Sequence, residues 1–478
     1  MSNEHEISWA TEEFENANLG DKRLNRRLMK ICDSFSESPE SPISQACEDW
    51  AGSKAAYRFF KNDKVKESEI SEAHYQKTIG RARKHKTILA IQDTSYIIYT
   101  KHPKTEGLGK IALHKGRHVK EIFTKGLVMH TCLAVSTKGL PLGLLHQNIF
   151  PRILHEESKN NTKHRDILPV EEKESYIWIE ALTKTKELTD DIEVVTVCDR
   201  ESDFYDFFKA ANQLDAKVLV RARVNRAVNK KSRYASMDVT KLWDHIEARP
   251  EAGTFEVSIP KYEKRVARTA TVSVKFGSFR FNPPVNHIKH RTERLPDLDM
   301  NAIYVFESHP PAGVDAIEWM LLTNFPINSF TDALEKIRWY CLRWRIEMFF
   351  KVLKSGLKVE DCRLGSADRL VKYLAIMSII AWRLFMITLL GRTDPGKPCT
   401  NLLSDYEWKV LFLKVNKNKE LPEETPSVGE VVIWIARLGG FLARKSDGFP
   451  GTITLWRGWK RLADLTDGWQ LAQGDTCG

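Results

Sequence analysis

The chain has 478 residues, of which 73 are Lys or Arg and 63 are Asp or Glu, so its formal net charge is +10. This length is too great for one compact core, and a hydrophobic content of 42% excludes wholesale disorder. A pI near 9.0 favours a polyanionic partner, although a basic protein without one is equally compatible with charge alone. The eight cysteines form no C-x-x-C pair, which argues against a zinc site or a disulfide framework and favours a reducing cytoplasm.

Two segments are relevant to export and membranes. Residues 1–14 are polar and acidic, unlike a signal peptide. The longest apolar run, residues 373–390, contains Arg383 and is short for a membrane span, so we predict a buried helix and no membrane partner.

Residues 1–70 are predicted to form a helical domain. The stretch LGDKRLNRRLMKIC places Arg23, Arg27 and Lys30 on one helix face, and SKAAYRFFKN forms a second basic helix that carries Arg58. Two short basic helices suit contact with the DNA backbone and grooves. A solvated helix face would show the same pattern.

The middle of the chain alternates between strand and helix patterns. The predicted elements are a strand at 87–94, a hairpin at 127–137 and 141–150, a helix at 174–188, a strand at 191–199, a helix at 201–214 and a strand at 216–224. Residues 101–120, rich in Lys and His, are expected to be a loop. The strand at 191–199 is apolar on both faces and therefore central. This order predicts a mixed α/β sheet.

The last half of the chain changes character twice. Residues 226–316 read as a β-rich insertion, and 318–325 as a returning strand. Ser329 and Asp332 form a candidate capping box at the start of a long helix. The last ninety or so residues are predicted to be mainly helical.

Residues 340–356, YCLRWRIEMFFKVLKSG, are predicted to continue that helix with two distinct faces. One face is apolar and the other is a polar strip, Tyr340, Arg343, Glu347, Lys351 and Lys354. Taken alone, the strip is best explained by i,i+4 ion pairs on a solvated face.

Two distant aspartates suggest a different explanation. Asp93 and Asp199 each end an apolar strand, and neighbouring carboxylates repel unless a cation lies between them. With Glu347 they would form an oxygen-only site suited to Mg²⁺ or Mn²⁺, two ions of which could promote phosphodiester chemistry. An aspartate at a strand end is usually a turn or cap residue, so spacing alone leaves convergence open.

The polar strip resembles a known signature. The spacing Tyr340-x2-Arg343-x3-Glu347-x6-Lys354 is similar to the Y-R-E-K motif of the insertion-sequence-four family of bacterial DDE transposases, and the chain most resembles the transposon-five type. The resemblance runs nearly end to end; it includes LGD before Arg23 and Arg27, AYRF around Arg58, DT at Asp93, VCDRE at Asp199, WMLLT at Trp319, RWRIE at Glu347 and IARLGGF at 435–441.

The resemblance implies a ribonuclease-H-like catalytic core interrupted by a β-rich insertion, with helical domains on either side. The implied domains are an end-binding domain at 1–70, a catalytic domain at 71–390 with the insertion at about 226–316, and a dimerisation region at 391–478. The implied activity is cut-and-paste transposition. The enzyme would bind terminal inverted repeats, cleave them through a DNA hairpin and join the 3′ ends to target DNA. The expected partners are double-stranded DNA and a second copy of the chain, in a bacterial cytoplasm with the nucleoid.

Specific roles follow from the same resemblance. Asp93, Asp199 and Glu347 would hold two Mg²⁺ ions, or Mn²⁺. The residues implied to contact DNA are Tyr340, Arg343, Lys351, Lys354, Arg221, Trp319, Trp344, Arg23, Arg27 and Arg58. The family tryptophan that matches Trp319 receives a base turned out of the DNA stack, whereas the pattern alone favours a core tryptophan.

Two other functions fit the same features. One is a catalytically silent regulator that binds transposon ends, and the other is a ribonuclease-H-like nuclease without strand transfer. An intact set of three carboxylates argues against the first. The basic N-terminal region and the IARLGGF segment argue against the second, because a plain nuclease needs neither.

Overall fold

A computed structural model defines most of the chain. The described residues are 8–47, 49–116, 119–152, 168–230, 240–259, 267–285, 287, 294–417, 420–444 and 447–472. One large hydrophobic cluster extends from Ala10 near the N-terminus to Leu462 in the last described helix. The N-terminal helices, the sheet and the C-terminal helices therefore share a core.

Five helices precede the sheet. They are α1 (Trp9–Glu13), α2 (Lys22–Glu37), α3 (Ile43–Ala46), α4 (Trp50–Lys61) and α5 (Glu67–Ala82). Asp21 caps α2 and Asp49 caps α4, each by accepting a main-chain N–H from the first turn. Phe35 of α2 stacks on Phe60 of α4 with ring centroids 6.3 Å apart, so the two basic helices form one packed unit.

Ten described strands form a single sheet. They are β1 (Thr87–Ile98), β2 (Gly109–Gly116), β3 (Val119–Ser136), β4 (Pro141–Phe150), β5 (Glu193–Cys198), β6 (Lys217–Arg221), β7 (Gly253–Ile259), β8 (Arg268–Phe281), β9 (Leu298–Phe306) and β10 (Glu318–Thr323). Their order is β2-β3-β1-β5-β6-β10-β9-β8-β7, with β4 paired to β3. The pairs β1–β5 and β5–β6 are parallel, and the other pairs are antiparallel.

Nine further α-helices lie in the described residues after β4. They are α6 (Tyr176–Leu188), α7 (Tyr205–Gln213), α8 (Leu242–Glu247), α9 (Phe330–Cys341), α10 (Trp344–Lys351), α11 (Ala367–Thr393), α12 (Asp405–Asn416), α13 (Val428–Leu438) and α14 (Thr452–Ala472). The predicted mixed α/β class is confirmed, as are the central position of β5 and the hairpin of β3 and β4. Gly139 in the hairpin turn has φ +91°, a conformation that a side chain disfavours.

Two sequence predictions were wrong in detail. Residues 101–120 are not a plain loop, because they contain β2, which pairs with the early part of β3. The described part of the predicted β-rich segment 226–316 does contain strands, and β7, β8 and β9 extend the central sheet through β10. Local alternation predicts strands but carries no information about the sheet they join.

The second error concerns the long helix. The capping box at Ser329 and Asp332 is present, but α9 ends at Cys341 and α10 begins at Trp344. After Lys351 the chain widens into a π-helix, Val352–Gly356. A regular wheel at 100° per residue therefore misplaces the later members of the polar strip.

Helix α11 is the apolar run predicted to be buried. It is long and apolar enough to cross a membrane, but 89% of its apolar window is buried inside the protein, as in a core helix. Its Arg383 is partly buried between two aromatic rings, with the guanidinium 4.8 Å from the ring centroid of Trp9 and 5.8 Å from that of Trp459. Burial lowers the pKa of Arg383 to about 10.

Candidate active site

The ends of two parallel strands bring the predicted aspartates together. Ile91 of β1 pairs with Val197 of β5, so Asp93 and Asp199, each two residues further on, occupy corresponding positions. Alternate residues of β1 enter different clusters: Leu89 and Ile91 lie in the large core with α10, on the face that also bears Asp93. The strand period thus points Asp93 toward α10.

Glu347 reaches the same place from α10. Arg343, just before this helix, donates to the Glu347 carboxylate at 2.5 Å and to the Asp93 carboxylate at 3.3 Å. The guanidinium therefore bridges the helix to the strand. Its side chain is only 15% exposed, so this contact is sheltered from solvent and weakly screened.

The electrostatics of Asp93 also indicate crowded carboxylates. Burial raises the pKa of Asp93 to about 7; Arg343 opposes this rise, while the charges of Asp199 and Glu347 add to it. Each of the three predicted carboxylates therefore acts on the same locus. A further positive charge at this position would lower the pKa of Asp93 again.

The donor set suits a hard divalent ion. Three carboxylates provide oxygen ligands alone, which Mg²⁺ and Mn²⁺ prefer. Within the described ranges, no group of three or more His, Cys, Asp or Glu side chains stands in a metal-binding arrangement. Arg343 instead supplies the positive charge between Asp93 and Glu347. The three carboxylates are ligands of the right type for such a metal ion. Arg343 must release at least one of them before all three can bind a common ion.

The π-helix after α10 determines where the two lysines of the polar strip lie. Lys354 lies in the π-helix, donates to the main-chain oxygen of Tyr96 at 2.9 Å and forms an ion pair with Glu360 at 3.7 Å. Lys351 is exposed at the end of α10. Lys354 is thus anchored to β1 three residues beyond Asp93, beside the site and not on a remote helix face.

An aromatic and cationic group borders the carboxylates. Trp319 of β10 is partly buried, and its ring centroid lies 6.1 Å from that of Tyr340. Arg221, at the end of β6, donates to the main-chain oxygen of Glu318 at 3.1 Å and its side chain hydrogen-bonds with Tyr340. Trp344 is 45% exposed next to Arg343. Arg221, Trp319 and Tyr340 therefore lie together at the end of the sheet that carries Asp199.

The predicted N-terminal arginines belong to a different region. Arg23 is almost fully exposed at the start of α2, where it pairs with the capping Asp21 at 2.9 Å. Arg27 is partly exposed on α2, and Arg58 is exposed on α4. They share the packed unit of α2 and α4 and do not join the carboxylates.

Some supporting residues have no signature in the sequence. His130, buried on β3, contacts the hydroxyl of Thr94 at 2.8 Å and the amide of Gln92 at 3.3 Å, and so supports both neighbours of Asp93. Glu360 accepts the N–H of Ile98 at 2.8 Å in addition to pairing with Lys354. Single polar residues of this kind follow no spacing rule, because tertiary contacts alone bring them together.

Three family models match the chain in succession. Residues 6–65 match a transposase DNA-binding domain, 179–384 match a transposase DDE domain, and 379–476 match a transposase Tn5 dimerisation domain. The chain belongs to the Tn5-like DDE transposases. The predicted family is thereby confirmed.

The three matches define what the transposase does in outline. The DDE domain makes it a metal-dependent DNA nuclease and transposase with a ribonuclease-H-like core. The first and last domains give it DNA as a partner and a homodimeric assembly. The DDE match includes Asp199 and Glu347 but begins after Asp93. The DDE and dimerisation matches overlap at residues 379–384, within the buried helix α11.

Proposed function

We propose that the transposase moves DNA by a cut-and-paste route. It binds the terminal inverted repeats of its element, cleaves them through a hairpin intermediate and joins the freed 3′ ends to target DNA. The observation that supports this most is that Asp93 and Asp199 follow neighbouring parallel strands while Arg343 joins Asp93 to Glu347 of α10. It acts in the bacterial cytoplasm, where the nucleoid DNA lies.

The three carboxylates are proposed to hold two Mg²⁺ ions, or Mn²⁺, in each active site. When bound, these ions supply the charge that activates a water or 3′-hydroxyl and stabilises the leaving oxygen. The protein's part is to fix the ligands: β1 and β5 hold Asp93 and Asp199 on neighbouring strands, and α10 presents Glu347. Their rigid elements keep the ligand set in place before DNA arrives.

The cations around the site are proposed to hold the DNA end. In the structure, Arg343 forms ion pairs with Asp93 and Glu347. A phosphate group of DNA would compete with these carboxylates for the guanidinium, because it can bind it in a bidentate manner. Transfer of Arg343 to phosphate would free both carboxylates for metal. Lys354, Lys351 and Arg221 border the same edge and suit further phosphate contacts.

Trp319 is proposed to receive a base turned out of the stack during hairpin formation. A hairpin joins opposite strands across a short turn, which requires unstacking near the cut. Extruding a base costs a few kcal/mol, and stacking on an aromatic ring returns about 1–3 kcal/mol. The contact between the Trp319 ring and the ring of Tyr340, a member of the polar strip, supports this role, and the exposed Trp344 next to Arg343 is proposed to assist it.

One experiment separates this proposal from its competitors. The full-length protein and Mg²⁺ are incubated with a plasmid carrying candidate terminal repeats and with a second plasmid as target. Excision with hairpin ends and insertion into the target support cut-and-paste transposition. Nicking without insertion would indicate a nuclease, and a mobility shift without cleavage would indicate a silent end-binding regulator.

A further inference from the structure

The turn that follows Asp199 is closely tied to that residue. The Asp199 carboxylate accepts the N–H of Glu201 at 2.8 Å and caps a short 3₁₀ turn, Arg200–Ser202. The hydroxyl of Ser202 donates to the main-chain oxygen of Asp199 at 3.0 Å. The position of Asp199 therefore depends on where this turn is held, and the turn ends at Asp203.

Asp203 anchors the end of that turn in the protein interior. Its side chain is 0% exposed, and its carboxylate accepts the N–H of Arg223 at 2.7 Å and of Val224 at 3.2 Å. It also forms an ion pair with Arg226, whose guanidinium lies 4.3 Å from the ring centroid of Phe281. A buried carboxylate is tolerated only with such compensation.

The segment that Asp203 binds leads directly from the DNA-facing side of the site. Arg223 and Val224 follow β6 and lie two and three residues after Arg221. Arg221 itself contacts Tyr340 and the carbonyl of Glu318. One carboxylate thus joins the turn of a proposed metal ligand to the strand end of a proposed DNA contact.

We propose that Asp203 is a positioning residue for the transposition reaction. It holds the Asp199 turn against the chain leaving β6, so that the metal ligand and Arg221 keep a fixed separation. Arg226 provides its countercharge and is not a DNA contact. This inference rests on the proposed role of Asp199 in metal binding.

The alternative is that Asp203 and Arg226 form a buried ion pair that contributes only to stability. The chain contains a similar example in the β-rich insertion: Arg268 and Glu307 form a bidentate, partly buried pair, and Glu307 accepts the N–H of Ile317 at 3.2 Å. Glu307 has the same kind of partners as Asp203, a guanidinium and a main-chain N–H. It lies in the loop after β9, away from Asp93, Asp199 and Glu347 in the order of strands.

The test compares three variants with the parent by a readout of the metal site itself. Asp203→Asn removes the charge, Asp203→Leu with Arg226→Met removes the anchor without leaving a buried charge unpaired, and Glu307→Gln is the matched control. Fe²⁺ with ascorbate and peroxide cuts the backbone beside bound iron, and end-labelled protein reveals the fragments. Thermal melting reports stability, and a labelled transposon end reports DNA binding and cleavage.

We expect both Asp203 variants to need at least about tenfold more Fe²⁺ for half-maximal backbone cutting, as for other residues that orient metal ligands. Cleavage of the DNA end should fall in parallel, while binding of the end is retained. Glu307→Gln should lower the melting temperature but leave the Fe²⁺ requirement within twofold of the parent.

A folded Asp203→Leu, Arg226→Met variant with the parent's Fe²⁺ requirement would overturn the positioning role, whatever Asp203→Asn does. Failure of the underlying metal assignment is seen separately with Asp199→Asn. If that variant keeps the parent's Fe²⁺ fragments, Asp199 is not a metal ligand, and the role of Asp203 is rejected with it.

Discussion

Arg343 contacts two of the three carboxylates, and this single residue explains why a lone acid stands in a cationic strip. Glu347 does not lie on a solvated face of ion pairs: its partner also binds Asp93, on a strand 250 residues away in sequence. The helical wheel correctly grouped Arg343 with Glu347, although the π-helix displaces the later members of the strip. It could not identify the partner, because helical spacing describes only neighbours on the same helix.

The first prediction concerns the cations at this site. Arg343→Ala and Lys354→Ala should each slow cleavage and lower the slope of log K against log salt for end binding by about one phosphate contact. Filter binding from low to high salt measures the slope. Lys184→Ala, which removes an exposed cation paired with Glu187, is the control. Parent-like slopes and rates in both test variants would show that these cations do not hold DNA.

The second prediction concerns His130 and acid stability. Complete burial, with a smaller effect from His146, lowers the pKa of His130 to about 3. Below about pH 6.5, His130 therefore binds a proton in the unfolded chain but stays neutral in the folded protein. The free energy of unfolding falls as the pH decreases from about 6.5 toward about 3. Relative to His130→Asn, the parent should lose about 2 kcal/mol of unfolding free energy between pH 7 and pH 5.

Urea denaturation of both proteins at the two pH values measures this difference. The comparison with His130→Asn cancels the other titrating groups, because both proteins share them. An equal loss in parent and variant would mean that His130 is protonated in the folded state or does not support β1 as described.

At the scale of elements, the parallel strands were predictable and the helix was not. Asp93 and Asp199 end apolar runs in the sequence, and such runs predict buried strands whose carboxyl ends meet at one edge. The break between α9 and α10 and the π-helix after Lys351 follow from tertiary packing. No glycine or proline lies at the break, and the glycine of the π-helix, Gly356, stands only at its end, so periodicity predicted a continuous helix.

The third prediction concerns Trp319, at the start of β10. If it captures an extruded base, Trp319→Ala should fold, bind ends and nick the first strand, but form hairpins poorly. The fluorescence of a 2-aminopurine at the second position from the DNA end should increase less on complex formation with Trp319→Ala than with the parent. Trp319→Phe should restore much of the hairpin step, since a ring remains for stacking.

Trp319 is also partly buried against the large core, so the alternative is that it serves only in packing. If Trp319→Ala lowers the melting temperature sharply and impairs nicking and hairpin formation alike, the residue is a packing residue. In that case 2-aminopurine fluorescence should follow the amount of folded protein and show no specific defect.

At the scale of the whole molecule, the three segments share one hydrophobic core. Ala10 and Phe14 belong to the same cluster as the sheet and the C-terminal helices, and Lys372 of α11 reaches the main-chain oxygens of Phe60 and Asn62 at the end of α4. Composition predicted separate domains but could not show this continuity. Surface substitutions are therefore a better test of the N-terminal region than deletion.

The fourth prediction concerns the end-binding surface. Replacing Arg23, Arg27 and Arg58 together with Ala should reduce the preference for terminal-repeat DNA over random DNA, because groove and phosphate contacts set register and sequence choice. The control is Arg83, Lys184 and Lys409 replaced together, three exposed cations on other elements. Competition gel shifts measure the preference. Equal specificity in the two triple variants would place end recognition elsewhere.

The central claim is that Asp93, Asp199 and Glu347 form one metal-dependent centre that cuts DNA. The most direct test measures Mg²⁺-dependent cleavage of a labelled transposon end by Asp93→Asn, Asp199→Asn and Glu347→Gln, with Glu318→Gln as a carboxylate control outside the three. We predict that each of the three variants binds the end as the parent does and loses cleavage by at least about a thousandfold, as expected when a metal ligand is removed, while the control cleaves. Substantial Mg²⁺-dependent cleavage by any one of the three would contradict the account.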